Sequence, residues 1–238
     1  MLGDIMQTED PSFFQAGVNP ALFPINRPRH LALAALLRSF PPTSVRVLEI
    51  GSFLGQSALM WSQTIADHFQ DGGSVLCVDP WQPFLSEQDV WGGDLYQQTQ
   101  ASLEDGSAFE QFKVNITTAP SKAPISFFRG TLKELVEHSL LLPFDVVYID
   151  GSHYYQDVKT DLLFAQPLVR DGGILCGDDL ETEFPETDQE ECRRCCNRDY
   201  VSHYHPGVTL AVWEAFGRVR VENGAWAVRR EGDSFIKF

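Results

Sequence analysis

The sequence predicts an α/β fold: a Rossmann-like, open, mostly parallel seven-stranded sheet with helices on both faces and a C-terminal antiparallel hairpin. Three observations predict it. From residue 44 onward, β-rich runs alternate with stretches of helical periodicity. The first of these runs enters a helix through a glycine turn. Several runs end directly in acids, and Asn223-Gly224 separates two short β-rich runs near the end.

The elements follow in order. Residues 1–27 carry scattered aromatics and prolines without a period and read as an irregular arm or a short first helix. Arg27 to Phe40 is helical: Leu31, Leu33, Ala34, Leu36 and Leu37 form a broad apolar face, and Pro41-Pro42 stops it. Val45 to Ile50 is the first strand. GSFLGQS then leads into a helix with Ala58, Trp61, Ile65 and Phe69 on one side, closed by Asp71-Gly72-Gly73. Ser74 to Val78 is the second strand, followed by Asp79-Pro80. Strand, glycine turn, helix, strand and acid make a βαβ unit.

Trp81 to Ala119 is long for one crossover. It holds Trp81, Trp91, Tyr96 and a helix near Ser107 to Thr117, and reads as an insertion at the mouth of the sheet. Ile125 to Phe128 is a strand, Leu132 to Leu141 a helix, and Phe144 to Ile149 a strand. Asp157 to Val169 is a helix with Val158, Leu162, Ala165 and Val169 on one face. Gly173 to Gly177 is the next strand. Residues 181–191 hold six acids and read as a solvated loop. Val208 to Phe216 is a helix. Val219 to Glu222 and Ala225 to Arg229 flank the turn, and Ser234 to Phe238 could add an edge. In domain terms, residues 1–43 cover the site and residues 44–238 form one domain, with an insertion over 81–119 and a lid over 181–206.

Composition narrows the partners. With 238 residues, 43% of them hydrophobic, the chain can bury a full core. Its net charge of −15 repels phosphate backbones, so no nucleic-acid partner is expected and a small molecule is favoured. No apolar run reaches about 18 residues, so no membrane span is expected. The start, MLGDIMQTEDPSFF, lacks a basic segment followed by an apolar one, so no signal peptide is expected. Five cysteines without a disulfide pattern fit a reducing, cytoplasmic location. A homo-oligomer stays open.

The turn Glu49-Ile50-Gly51-Ser52-Phe53-Leu54-Gly55 is not a dinucleotide fingerprint, because Glu49 stands where the first glycine belongs. A carboxylate there repels a pyrophosphate and suits a ligand carrying an ammonium and a sulfonium. Gly51 lets the backbone approach that ligand, and Asp79 can accept both ribose hydroxyls. Asp150, Asp178 and Asp179 also follow strands directly, so all four acids crowd the carboxyl edge of the sheet. Like charges gathered in a poorly solvated site call for a proton or a shared cation. Three carboxylates suit a hard divalent ion such as Mg²⁺.

"VLEIGSFLGQS" and "VLCVDP" resemble the first motif and second-strand end of class I S-adenosylmethionine-dependent methyltransferases. The resemblance implies S-adenosylmethionine as cofactor. It implies Glu49, Gly51, Ser52 and Ser57 around the methionine end, with Asp79 on the ribose. Gly130 and Thr131 would border the adenine, and Trp81 would cover it. "DGSHYYQDVKTDLLFAQPLVRDGGILCGDD" is similar to the cation-dependent O-methyltransferases. It looks most like the type acting on sugars, the macrocin and cephalosporin-hydroxylase-like group. That resemblance covers roughly residues 44–216 and implies Asp150, Asp178 and Asp179 as ligands of Mg²⁺ or another divalent cation. Asp150 would also border the cofactor.

His153 stands three residues after Asp150, where catechol-type enzymes carry a lysine and the sugar type an acid. It is the expected catalytic base, drawing the proton from an acceptor hydroxyl. Cys192, Cys195, Cys196, His203 and His205 could form a zinc site. But the histidines are one residue apart rather than three to five, and reduced thiols in a lid are the plainer reading. The expectation is an O-methyltransferase acting on a small-molecule hydroxyl, such as a sugar or polyol of a secondary metabolite. A hydroxylase-like relative or a non-methylating cofactor-binding protein on the same fold remains the alternative. A dinucleotide oxidoreductase is disfavoured by Glu49.

Overall fold

A computed structural model of the chain describes residues 27–41, 43–89, 94–119 and 123–238. The arm over 1–26 and Trp91 lie outside the described residues.

The elements run α1 (Arg27–Arg38), β1 (Val45–Ile50), α2 (Gln56–His68), β2 (Gly73–Asp79), α3 (Asp94–Glu104), α4 (Ser107–Thr118), β3 (Ile125–Arg129), α5 (Leu132–His138), β4 (Phe144–Ile149), α6 (Tyr155–Ala165), β5 (Val169–Gly177), α7 (Gln189–Cys195), α8 (Pro206–Phe216), β6 (Arg220–Glu222), β7 (Ala225–Glu231) and β8 (Ser234–Ile236). One sheet takes the order β3-β2-β1-β4-β5-β7-β6, with β8 also paired to β7. Pairing is parallel from β3 through β5 and antiparallel beyond.

The fold class stands as expected, with eight strands among the described residues rather than seven. The eighth is the C-terminal run: β6 and β8 lie end to end along the outer side of β7. The β6–β7 turn takes positive φ at Asn223 (54°) and Gly224 (87°), as a two-residue hairpin requires.

The sheet carries an apolar cluster on each face. Val45, Val47, Trp61, Ile65, Val75 and Phe112 lie in one cluster, with residues of α1, α2 and α4. Leu48, Ile50, Val147, Leu162, Leu175 and Val212 lie in the other, with residues of α5, α6 and α8. Alternation along β1 sends successive side chains to opposite faces. The strand order reverses between β1 and β4, and the carboxyl ends there open the crevice where such sheets hold ligands.

Several boundaries differ from the sequence reading. α6 stops at Ala165 because Pro167 lies in a 3₁₀ turn over Gln166–Leu168, and β5 starts at Val169 instead of Gly173. α5 stops at His138: Ser139 is extended, and Leu140 and Leu142 face solvent. The insertion forms two helices, α3 and α4. Trp81, Phe109, Phe112 and Phe127 cluster there, with Trp81 4.6 Å from Phe112 between ring centroids. The acidic stretch over 181–191 is not a plain solvated loop. Phe184 is buried in a second 3₁₀ turn, and Asp188 caps α7 through the amides of Glu190 and Glu191. Among the described residues, no helix is long and apolar enough to cross a membrane.

Candidate active site

A cavity of about 620 Å³ opens at the carboxyl ends of β1, β2, β4 and β5. Its walls come from the glycine turn, Asp79, the start of α5, the Asp150–His153 segment, Asp178-Asp179, His205, Arg29 of α1, and Phe84, Tyr96 and Leu103 of the insertion. The structure thus brings most of the expected site residues into one space.

The turn is fixed by Asp79. Its Oδ2 accepts the amides of Ser52 and Phe53, each at 2.9 Å, and its Oδ1 accepts that of Trp81 at 2.5 Å. A carboxylate offers about four lone-pair sites. Three go to the backbone, and Asp79 still faces the cavity. Gly51 (φ 84°) allows the closest approach: a Cβ there would stand 1.9 Å from the Asp150 carbonyl oxygen. Ser52, Ser57, Gly130 and Thr131 line the cavity. Thr131 also caps α5, accepting from the Glu134 amide at 3.2 Å.

Two expected cofactor residues sit elsewhere. Trp81 is 1% exposed, stacks among the insertion's aromatics, and donates its indole N–H to the Phe53 carbonyl at 2.7 Å. It lies behind the turn, not over the cavity. Its φ of 47° turns the chain inward after Asp79-Pro80.

Glu49 is fully buried and does not line the cavity. The two-residue period of β1 places it on the face of Val45 and Val47, beneath the turn, beside Cys77. Burial pushes its pKa up to about 7, and the nearby polar groups of Ser52, Ser57 and Trp61 offset this only in part. Folding therefore favours the protonated acid. That contribution is complete below the ordinary Glu range and is lost as pH rises through about 7. Glu49→Gln is expected to stabilise the protein at pH 8 by about 3 kcal/mol and to do little at pH 4. Urea unfolding at both pH values checks this; equal effects at the two would refute it.

The acid rim is more elaborate than the expected triplet. The Tyr148 hydroxyl lies 3.0 Å from Asp150 Oδ2 and 3.3 Å from Asp178 Oδ2, spanning the ends of β4 and β5. Arg29 reaches in from α1, with Nη1 2.5 Å from Asp178 Oδ2 and 3.1 Å from Asp179 Oδ1. His153 Nε2 lies 2.9 Å from Asp179 Oδ2, and its Nδ1 lies 2.8 Å from Asp199 Oδ1. Asp199 is fully buried, and its Oδ2 has no hydrogen-bond partner among the described residues. The His205 ring stands 4.2 Å from the His153 ring and turns Nδ1 toward Glu181 Oε1 at 3.1 Å.

Burial, then Asp178 and Asp179, push the Asp150 pKa well above its ordinary value. Burial and Asp179 push Asp178 up to about 7, with Arg29 opposing. Asp179 goes the other way. Burial would raise it, but His153, His205 and Arg29 hold it well below the carboxylate range. Burial works against the charged form of His153, yet Asp179 and Asp199 raise its pKa well above the usual value.

The rim fits a divalent cation. Asp150, His153 and Asp179 present ligand atoms within 4.8 Å of one another. Among the described residues, the Asp150 carboxyl is hydrogen-bonded only by a neutral hydroxyl, that of Tyr148. Asp178 belongs to no such group among the described residues, because Arg29 takes it. No group contains a cysteine, so Cys192, Cys195 and Cys196 are not gathered with His203 and His205 into a zinc site among the described residues.

Asp89, fully buried, accepts from Ser86 (2.6 Å), Tyr154 (2.9 Å) and Arg198 (2.6 Å), joining the segment after β2, the start of α6 and the segment after α7.

Comparison with known proteins bears on this site. A family model described as a methyltransferase domain matches residues 48–180. The demethylmacrocin O-methyltransferase of Streptomyces fradiae is 30% identical over 147 residues, covering 62% of this chain and 30% of that protein. The match thus spans under a third of the curated relative's length. Among solved structures, the O-methyltransferase TomG of Streptomyces achromogenes, in complex with S-adenosylmethionine, gives a TM-score of 0.55 at 17% identity, over 96% of this chain and 93% of that one. The O-methyltransferase of Bacillus cereus, in complex with S-adenosylhomocysteine, gives 0.52 at 17% identity, over 95% and 94%. The O-methyltransferase NovP gives 0.55 at 15% identity, over 85% and 79%. At these identities the structural likeness is one of fold.

Proposed function

This chain belongs to the methyltransferase-domain family, and we propose that it transfers the methyl group of S-adenosylmethionine to a hydroxyl of a small molecule. The observation that carries the reading is the union, in one cavity, of the Gly51 turn with Asp79 and of an acid rim with a histidine. The first half suits the cofactor and the second an acceptor oxygen. The curated relative and the structural neighbours, all named O-methyltransferases, support oxygen as the acceptor atom.

A divalent cation held by Asp150 and Asp179 would lower the pKa of the acceptor hydroxyl, while Asp178, expected as a third ligand, is engaged by Arg29. The remaining work falls to the chain itself. The Gly51 turn lets the backbone close on the cofactor, and the lone-pair site that Asp79 has left can accept from one ribose hydroxyl. Phe84 and Tyr96 flank the acceptor side and keep water from the sulfonium. His153 presents Nε2 to the rim, held there by Asp199. Nε2 can accept the hydroxyl proton once Asp179 is engaged by another positive group. In-line alignment of oxygen and methyl carbon then governs the rate. A sugar or polyol with vicinal hydroxyls suits this rim, a choice that rests on the resemblance of the Asp150–Asp179 stretch.

The test is formation of S-adenosylhomocysteine from S-adenosylmethionine with a panel of sugars, polyols and catechols. Turnover is expected to fall to background in excess chelator and to return with Mg²⁺. No product with any hydroxyl acceptor would overturn the reading. One observation favours a variant of it: Arg29 already bridges Asp178 and Asp179. If full turnover persists in chelator, the guanidinium supplies the positive charge at the rim.

A further inference from the structure

Two carboxyls in the cavity, Asp157 and Asp161, are used by neither the turn nor the rim, and Asp157 already accepts from the Ser152 hydroxyl at 2.7 Å. Val158, Leu162 and Ala165 form the buried stripe of α6, and Asp161 stands three residues after Val158 on that inward side. It lines the cavity, and its Oδ2 comes within 3.5 Å of the point where a Cβ on Gly151 would lie. No described residue donates a hydrogen bond to it. Burial, and then the Asp157 charge, push its pKa up to about 7. An acid on the apolar side of a helix, without a donor, is costly to keep and invites a donor from outside.

Its place in the cavity names that donor. α5 packs on α6, with Leu132 in one cluster with Val158 and Leu162. Gly130, Thr131 and Lys133 therefore border the same end as Asp161. The Gly130 amide donates to the Asp79 carbonyl at 3.0 Å, so this end adjoins Asp79. A ligand with its sulfonium at the acid rim and its ribose at Asp79 would carry its base there. Other polar groups at this end are occupied. The Thr131 hydroxyl is within 2.9 Å of Glu134 Oε2, and the Lys133 ammonium is 3.9 Å from Glu137. Asp161 is left as an acceptor facing the base.

We propose that Asp161 reads the purine of the cofactor, its carboxyl accepting a hydrogen bond from the exocyclic amino group of adenine. The inference rests on the S-adenosylmethionine reading above.

Calorimetry with two ligands tests it: S-adenosylhomocysteine, and S-inosylhomocysteine, in which a carbonyl oxygen replaces the amino group. The wild type is expected to bind the adenosyl ligand about 10- to 100-fold more tightly, the scale of one hydrogen bond to a charged or buried partner. In Asp161→Asn, whose amide can both donate and accept, the ratio should fall toward one. Asp161→Ala should lose it as well. Thermal unfolding shows whether each variant is folded, and the wild-type ratio needs no variant at all. Equal wild-type affinities for the two ligands would overturn the inference, as would an unchanged ratio in Asp161→Asn. If the wild type binds neither ligand, the cofactor reading falls and takes this inference with it. Tight S-adenosylhomocysteine binding without discrimination sinks the inference alone.

Discussion

Asp199→Asn is expected to lower kcat by about 10²- to 10⁴-fold, the range a positioned general base contributes, and to leave S-adenosylhomocysteine affinity unchanged. The Asp199 carboxylate lies 2.8 Å from His153 Nδ1 and is wholly out of solvent. An acceptor there keeps the proton on Nδ1 and turns Nε2 toward Asp179 and the cavity. An asparagine offers an amide N–H in the same place and can stabilise the opposite tautomer, leaving Nε2 protonated where a base is needed. His153→Ala should cost about as much. The double variant should be little worse than either single one, because the two act as a unit. Asp199→Glu, which keeps the acceptor, should recover part of the rate. A purely structural Asp199 predicts instead a drop in unfolding midpoint with kcat intact in the folded fraction. That outcome would remove the pair from the mechanism.

The backbone of this arrangement was legible in the sequence and its side-chain partners were not, for a physical reason. Strand and helix periods are local. The alternation of Val45 to Ile50, the turn at Gly51 and the acids at Asp79, Asp150, Asp178 and Asp179 follow from spacing within a few residues. The partners of those acids come from far away. Asp199 lies 46 residues from His153, inside a cysteine–histidine stretch whose pattern draws no attention to it, and Arg29 lies 150 residues from Asp179 on a helix that reads as ordinary cover.

Where local reasoning was pushed into side-chain direction it misjudged two residues. Glu49 was read as part of the turn, although it is the fifth residue of a six-residue strand, so the pleat sends it under the sheet. Trp81 is expected from the resemblance to cover the adenine, but the positive φ after Asp79-Pro80 and the aromatics at Phe109 and Phe112 draw it inward. Asp161 carries no motif of its own, and its helix reads from Val158 and Leu162 as an apolar stripe. Charge on an apolar stripe is the signal that could have found it.

Arg29→Met is expected to destabilise the protein by about 3–5 kcal/mol, the usual consequence of removing one partner from a buried ion pair. The guanidinium is 16% exposed, sits on both Asp178 and Asp179, and donates its Nε to the Asn223 carbonyl at 3.1 Å. It therefore ties α1 to the β5 end and to the β6–β7 turn. Methionine keeps the length of the stem and removes the charge, so Asp178 is left beside Asp150 without a cation while Asp179 keeps His153. Asp178 must then protonate or find another cation. This gives the variant a second, sharper signature. Mg²⁺ should raise its unfolding midpoint more than that of the wild type, because the ion no longer competes with the guanidinium for Asp178 and Asp179. A ligand present at a hundred times its Kd adds about 2.7 kcal/mol to the state that binds it. Thermal unfolding of both proteins, with Mg²⁺ and with chelator, reads the two effects together. A variant as stable as the wild type would show that the pair does not hold α1 down. A destabilised variant that Mg²⁺ cannot restore would show that these carboxylates answer to the arginine and do not accept the ion in its place.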